Sequence, residues 1–271
     1  MKLNDPFSFY LEGTNGKGVI LIHGLTGIPA EMKFIARALN RKGYTIYAPL
    51  LAGHGIDHQT LKKSTWQDWL DGIVESARVF SSEVDSVYTA GICVGGKLGM
   101  LAAQCLPDTI RATAIYSPCF QFDGWNTPWL YKFSPALPMM VRLFPSWRDK
   151  TYPETESLGI KDERLRNFMQ GAEAKGVIDE FPAVSLVEMQ RLGKALKREL
   201  KRVKTPTLIL HAEKDDLSHP RNAIAIAKHL VAPHELHWIE DSYHMIHVDR
   251  QRDKVADLTA SFFERYYVDA A

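Results

Sequence analysis

The sequence predicts an α/β protein: a mostly parallel sheet with helices on both faces. Three observations carry that expectation. Short apolar runs alternate with amphipathic helical stretches along most of the 271 residues, a rhythm that implies parallel strands joined by crossover helices. A glycine-rich turn, Gly91 to Gly96, separates an apolar run from a helical one. The composition, 45% hydrophobic and 24% charged, is that of an ordinary globular chain, long enough to bury a large core.

The elements follow in order. Phe7, Phe9 and Leu11 alternate with polar residues and predict an antiparallel edge hairpin ahead of the main sheet. Gly18–Ile22 is a buried strand. Pro29–Arg41 is a helix, with proline suiting its first turn and Gly43 its end. Tyr44–Ala48 is the next strand. Trp66–Ser81 is a helix with Trp69, Ile73 and Ala77 on one face. Val87–Ala90 leads into the glycine turn, and Lys97–Leu106 is a helix stopped by Pro107. Ala112–Tyr116, Thr207–Leu210 and Glu235–Ile239 complete the strands; His219–Leu230 and Arg250–Tyr266 supply two more helices. Between about Phe120 and Lys204 no strand pattern appears. That interval holds Trp125, Trp129, Tyr131, Phe133, Phe144 and Trp147 among prolines, then helical stretches around Arg164–Gly171 and Val184–Lys201. It reads as a helical cap insertion, residues 120–204, in a core formed by residues 1–119 and 205–271. Its basic end (Lys194, Lys197, Arg198, Lys201, Arg202, Lys204) is expected to be a solvated helix face.

Composition excludes several classes. Lys+Arg 33 against Asp+Glu 32 leaves a net charge of +1, so no nucleic-acid footprint shows in the totals. Three cysteines, Cys93, Cys105 and Cys119, are too few for a disulfide framework and suggest a reducing compartment. The start lacks a secretory pattern, and no apolar run approaches the roughly 18 residues of a membrane span. A cytoplasmic protein is the default expectation.

Four segments carry chemistry. Gly91-Ile92-Cys93-Val94-Gly95-Gly96 lies between a strand and a helix. It fits the nucleophile-elbow pattern with cysteine where serine usually stands. The turn is so tight that positions 91 and 95 tolerate almost no side chain, and the helix N-terminus favours an anion and lowers a thiol pKa. His23-Gly24-Leu25-Thr26-Gly27 follows the first buried strand and matches the His-Gly loop of the same architecture. There Leu25 N–H supplies one oxyanion donor and Val94 N–H the other. The strand Leu208–His211 runs into Glu213-Lys214-Asp215, and Asp241-Ser242-Tyr243-His244 follows the last strand. The order nucleophile, acid, histidine is the order of that architecture.

On these residues the chain resembles the α/β-hydrolases, in particular the bacterial carboxylesterase and monoacylglycerol-lipase-like group. The likeness covers both ends of the chain: His23–Gly27, Tyr44–Ala48 with Gly53-His54-Gly55, the elbow, Asp215 and His244. It fades across about 120–204, where caps differ. The resemblance implies the α/β-hydrolase fold with a helical cap, Cys93 at the nucleophile, Asp215 at the acid, His244 at the base, and Leu25 and Val94 at the oxyanion positions. It implies no cofactor and no metal. Cysteine at the nucleophile is a departure that resembles dienelactone hydrolases, polyhydroxyalkanoate synthases and some acyl-transferring members. The implied substrate is a small-molecule acyl ester or thioester. Hydrolysis and acyl transfer, the latter with coenzyme A or an acyl carrier protein as partner, both stay open; substrate-binding residues are unassigned.

Blander readings stand beside these. Cys105 sits on an apolar helix face and is expected in the core; Cys119 is expected to pack, with pocket lining second. Asp216 adjoins Asp215, and spacing does not separate them; the resemblance favours Asp215, leaving Asp216 as a loop or capping residue. His244 competes with His247, which lies three residues on, and with His234 and His237, which flank or occupy a strand. A His244–His247 metal pair lacks further ligands at suitable spacing. His54 and His23 are expected to be internal hydrogen-bonding residues. Trp125 and Trp129 line an acyl pocket or pack the insertion core.

Overall fold

The structure is a computed structural model that describes residues 5–153, 159–172 and 180–267. The chain runs β1 (Phe9–Leu11), β2 (Lys17–Ile22), a 3-10 turn (Pro29–Met32), α1 (Lys33–Asn40), β3 (Thr45–Ala48), α2 (His58–Leu61), α3 (Trp66–Phe80), β4 (Ser86–Ile92), α4 (Val94–Cys105) and β5 (Ile110–Tyr116). After an excursion through α5 (Leu137–Leu143), β6 (Thr151–Pro153), α6 (Glu163–Ala172), β7 (Glu180–Pro182) and α7 (Ala183–Glu199), it returns with β8 (Thr207–Ala212), α8 (Arg221–His229), β9 (His234–Ile239) and α9 (Arg252–Glu264).

Seven strands form one sheet in the order β1-β3-β2-β4-β5-β8-β9, parallel throughout except for β1. This is the α/β-hydrolase fold predicted from the strand–helix alternation. The central strands β2, β4 and β8 are buried along their whole length, which is why they read as continuous apolar runs rather than alternating ones. Helix α1 packs on α9 across β3, β5 and β8, while α3, α4 and α7 pack on one another around β4 and β5. Helix α3 starts at a capping box, Thr65 with Asp68, and buries Trp69, Ile73, Ala77 and Phe80. Each large side chain there contributes about 2 kcal/mol by leaving water. Tyr88 of β4 stacks on Phe263 of α9 at 4.6 Å, and Tyr116 of β5 hydrogen-bonds Thr259 at 2.8 Å.

Two expectations need correction. Strand β1 is an antiparallel edge strand, but it pairs with β3 (Phe9 opposite Ala48, Leu11 opposite Ile46) rather than forming a hairpin with β2. The chain between Leu11 and Lys17 is not a tight turn; Gly13, Thr14 and Asn15 bond instead to Gly43 and Thr45. The excursion between β5 and β8 also contains strands. Thr151–Pro153 and Glu180–Pro182 pair antiparallel. Three-residue strands carrying prolines leave almost no periodicity to read. The helices expected there are present as α6 and α7, and the basic side chains at the end of α7 are exposed. The parts of the interval at 154–158 and 173–179, and the Phe133 side chain, lie outside the described residues.

Candidate active site

The parallel strands bring their C-terminal ends to one edge of the sheet, and the four sequence segments converge there. Cys93 joins β4 to α4 with φ +52°, a left-handed conformation that a non-glycine residue holds only when its surroundings impose it. Two glycines impose it here. A Cβ on Gly91 would lie 2.5 Å from the Gly95 backbone, and one on Gly95 would lie 2.2 Å from the Ile22 carbonyl oxygen. The turn therefore presses directly against the end of β2. Cys93 N–H is held by the Tyr116 carbonyl at 2.9 Å.

Asp215 and His244 meet behind it. His244 Nδ1 lies 2.9 Å from Asp215 Oδ2 and 3.0 Å from Oδ1, which leaves Nε2 as the ring nitrogen that meets Cys93. The Asp215 carboxylate also accepts from Leu217 N–H (2.9 Å) and Ser218 N–H (2.7 Å). Burial works against its charge, but the His244 pair, His211 and these N–H groups hold its pKa below the usual value. Burial likewise opposes a charged His244, yet the charge and hydrogen bond of Asp215, with Cys93 beyond, raise its pKa well above that of a free imidazole. Cys93 moves the other way. A hydrogen bond from the Cys119 side chain lowers its pKa most; burial opposes, and His244 and Lys97 add to the lowering.

The His23–Gly27 loop lies against this pair. Glu31, in the 3-10 turn after the loop, accepts from Gly24 N–H at 2.6 Å, and a Cβ on Gly27 would meet the same carboxylate at 2.1 Å. Thr26 has φ +67°. His23 Nδ1 lies 2.9 Å from the Gly24 carbonyl and Nε2 accepts from Leu51 N–H at 3.1 Å, so its ring braces the loop internally as expected. Among the described residues, no protein acceptor engages the N–H of Leu25 or of Val94 at the first turn of α4.

Other candidates sort by position. Asp216 is wholly buried and its carboxylate accepts from His244 N–H at 3.1 Å; it positions the histidine loop rather than capping a helix. His247 is buried and stacked on Tyr116 at 6.2 Å, and burial and the nearby His244 push its pKa down to about 3. His234 is exposed and His237 bonds Glu235 at the surface. His54 is buried between His23 and Trp69. Cys119 is wholly buried and its S–H donates to the Gln121 carbonyl at 3.2 Å, so it packs as expected. Cys105 is a correction: it is the last residue of α4 and is exposed, not in the core. Its heptad-like spacing from Leu98 runs past the point where the helix leaves the interior. Trp125 and Trp129 are also mainly exposed, with Trp125 set against Tyr243 at 5.4 Å, so neither packs the interior of the excursion.

Three residues were missed. Glu31 was invisible because nothing in a single acidic residue signals its target. Lys97 looked like an ordinary helix lysine but is wholly buried. The Asp249 carboxylate accepts from the N–H groups of Lys161 (2.9 Å), Asp162 (3.1 Å) and Tyr243 (2.9 Å), fastening the segment before α6 to the histidine loop.

Comparison with known proteins agrees with the fold. A family model described as Serine aminopeptidase, S33 matches residues 14–251. The chain belongs to this S33 hydrolase family. Over 263 residues the S33 chain is 25% identical to the thermostable monoacylglycerol lipase of Bacillus sp. (strain H-257), covering 95% of this chain and 94% of the relative. It is 24% identical to a carboxylesterase of Bacillus subtilis (strain 168), covering 98% and 99%. A solved structure from the metagenome-derived lipolytic enzymes LipS and LipT superimposes with a TM-score of 0.80 at 26% identity, covering 98% of this chain and 100% of that one. This S33 member is thus an enzyme, a hydrolase of the lipase and carboxylesterase type. Among its described residues no helix is long and apolar enough to cross a membrane.

Proposed function

We propose that this S33 member hydrolyses carboxylic esters or thioesters through a covalent acyl-enzyme on Cys93, with His244 as acid and base and Asp215 fixing its tautomer. The observation that carries the reading is the Asp215–His244 pair, joined at 2.9 Å, at the same sheet edge as the strained elbow at Cys93. The Cys93 sulfur attacks the carbonyl carbon, forming a C–S bond, and the carbonyl electron pair moves onto oxygen. Leu25 and Val94 N–H groups receive that oxyanion, worth about 3 kcal/mol for each well-aligned donor. Collapse expels the alcohol or thiol, which takes the proton from His244 Nε2. His244, now neutral, draws a proton from water, which attacks the thioester; the sulfur leaves as thiolate and the acid product departs. Residues 120–204 serve as a cap over this edge of the sheet, fastened by Asp249.

Steady turnover of a p-nitrophenyl ester, with an acyl adduct on Cys93 by intact mass, is the expected result. Cys93→Ala should remove both; turnover surviving in that variant would refute the nucleophile assignment.

A second reading is acyl transfer from a coenzyme A or carrier-protein thioester. The sulfur itself favours it, because a thioester remains energetic enough to acylate an amine or thiol. A cavity of about 370 Å³ lined by Phe120, Gln121, Lys194, Lys197 and the ion pair of Arg221 with Asp123 also offers the positive charge of its two lysines to an anionic donor. Transfer products appearing on addition of amine or thiol acceptors, and lost on reversal of Lys194 and Lys197 to Glu, would select this reading.

A further inference from the structure

His244 has a second set of holders, and they come from the excursion between β5 and β8. Its ring is placed by Asp215 and its main-chain N–H by Asp216. The residues on either side of it reach elsewhere. Tyr243 N–H donates to the Asp249 carboxylate at 2.9 Å, and Met245 N–H donates to the Gly159 carbonyl at 2.8 Å. Asp249 is wholly buried. Its Oδ2 accepts from Lys161 N–H at 2.9 Å as well as from Tyr243, and its Oδ1 accepts from Asp162 N–H at 3.1 Å. Both oxygens accept, and each bond is assisted by the carboxylate charge.

The approach is as close as backbone allows. Gly159 has φ +70°, and a Cβ on it would lie 2.9 Å from the His244 Cβ and 3.0 Å from the Met245 Cγ. Glycine is needed there for its conformation and for the space. Ile160 beside it is buried. Asp162 then accepts from Leu165 N–H at 3.0 Å and so caps the first turn of α6. Residues 159–162 are therefore fastened at one end to the loop that carries His244 and run at the other straight into a cap helix. The ion pairs over this junction, Lys161 with Asp241 and Arg250 with Asp162 and Asp241, are partly exposed and contribute little. The buried bonds of Asp249 and Gly159 carry the attachment.

We propose that Asp249 and Gly159 are positioning residues for His244, and that residues 159–162 are a strap that makes the start of α6 and the histidine loop one unit. The His244 ring keeps its bond to Asp215, and its aim at the elbow, only while the strap is seated. The proposal rests on the reading of His244 as the base. Its bonds fall on the two residues that flank His244, so a loosened strap shifts the ring itself.

The test pairs steady-state kinetics on a p-nitrophenyl ester with proton NMR of the full chain, well below the thermal midpoint. A proton shared between an imidazole Nδ1 and a carboxylate resonates far downfield; wild type should show this signal and His244→Ala should lack it. Asp249→Ala removes all three acceptor contacts. It should broaden or lose the signal and lower kcat about 10²-fold, the cost of a misplacement of about 1 Å, with KM little changed. Asp249→Asn keeps one oxygen to bridge Lys161 and Tyr243, and should recover most of the signal and of kcat. Gly159→Ala leaves the Asp249 bonds in place and sets a methyl group against His244; it should move the signal and lower kcat. A folded Asp249→Ala with the wild-type signal and kcat overturns the proposal. So does an asparagine variant that tracks alanine, because the lost acceptor would then not be the cause. If Asp249→Ala does not fold, Gly159→Ala decides, and a wild-type signal and kcat there overturn the proposal as well. Ester turnover of Cys93→Ala is measured alongside. Retained turnover there removes the nucleophile reading, whereas the downfield signal needs only His244 and Asp215 and reports on the strap whatever that turnover shows.

Discussion

At the scale of single residues, the proposed chemistry turns on one sulfur and one ring. The pKa of Cys93 is lowered and that of His244 raised, both in the direction of a thiolate–imidazolium pair. Activity is lost on the acid side as the thiolate takes up its proton. It is lost on the alkaline side as His244 gives up the proton the leaving group needs. Cys93→Ser changes the acid limb. Serine stays neutral and needs a neutral His244, whose pKa Asp215 still raises, so the kcat/KM profile of the serine variant should rise at a clearly higher pH than that of wild type. Coincident acid limbs would remove the ion pair from the account. Asp215→Asn leaves the ring without its anion and favours the wrong tautomer; kcat should fall about 10²–10⁴-fold with the fold intact by circular dichroism.

At the scale of elements, the site depends on two close approaches. The first is α4 against the end of β2, where a Cβ on Gly95 would lie 2.2 Å from a backbone oxygen that has no room to move. Gly95→Ala should cost about 3 kcal/mol and lower the thermal midpoint by roughly 5–10 °C, while the same change at Gly72, where nothing lies within 4 Å, should not lower it. The second is the Glu31 carboxylate against the His23–Gly27 loop. Glu31→Ala frees Gly24 N–H and lets the adjacent Leu25 N–H swing. The expected result is a fall of at least about ten-fold in kcat with KM little changed. A rise in KM alone would show that the loop binds substrate without serving the oxyanion.

At the scale of the whole molecule, several imidazoles are buried neutral. Burial drives the pKa of His54 down to about 4 and that of His247 down to about 3, and it lowers those of His23 and His211 as well. The unfolded chain binds protons on these rings near pH 6.5, whereas the folded chain resists until much lower pH. Stability from these groups is therefore complete above about pH 6.5 and is lost progressively as pH falls towards the folded values. His54 alone accounts for a loss of about 3 kcal/mol at the acid end. The thermal midpoint should fall steadily from about pH 7 to about pH 4.5; a flat curve there would mean that these rings are not held neutral.

The sequence by itself determined the sheet, because strand–helix alternation and wholly apolar runs admit few other packings. It also determined the elbow, because only glycine at 91 and 95 permits so sharp a turn beneath Cys93; its spacing left Asp215 beside Asp216 and His244 among other histidines, and the resemblance favoured Asp215 and His244. Those signals are local, carried by spacing within a few residues. What touches what across the sheet was decided only by the tertiary structure. The pairing of β1 with β3, the short strands β6 and β7, the exposed Cys105, Glu31 on Gly24, Asp216 on His244, and the buried Lys97 on the Cys119 carbonyl all depend on neighbours far away in the chain. A lysine or a lone carboxylate looks the same in sequence whether it faces water or a buried sulfur; only the packing around it sets its charge and its partner.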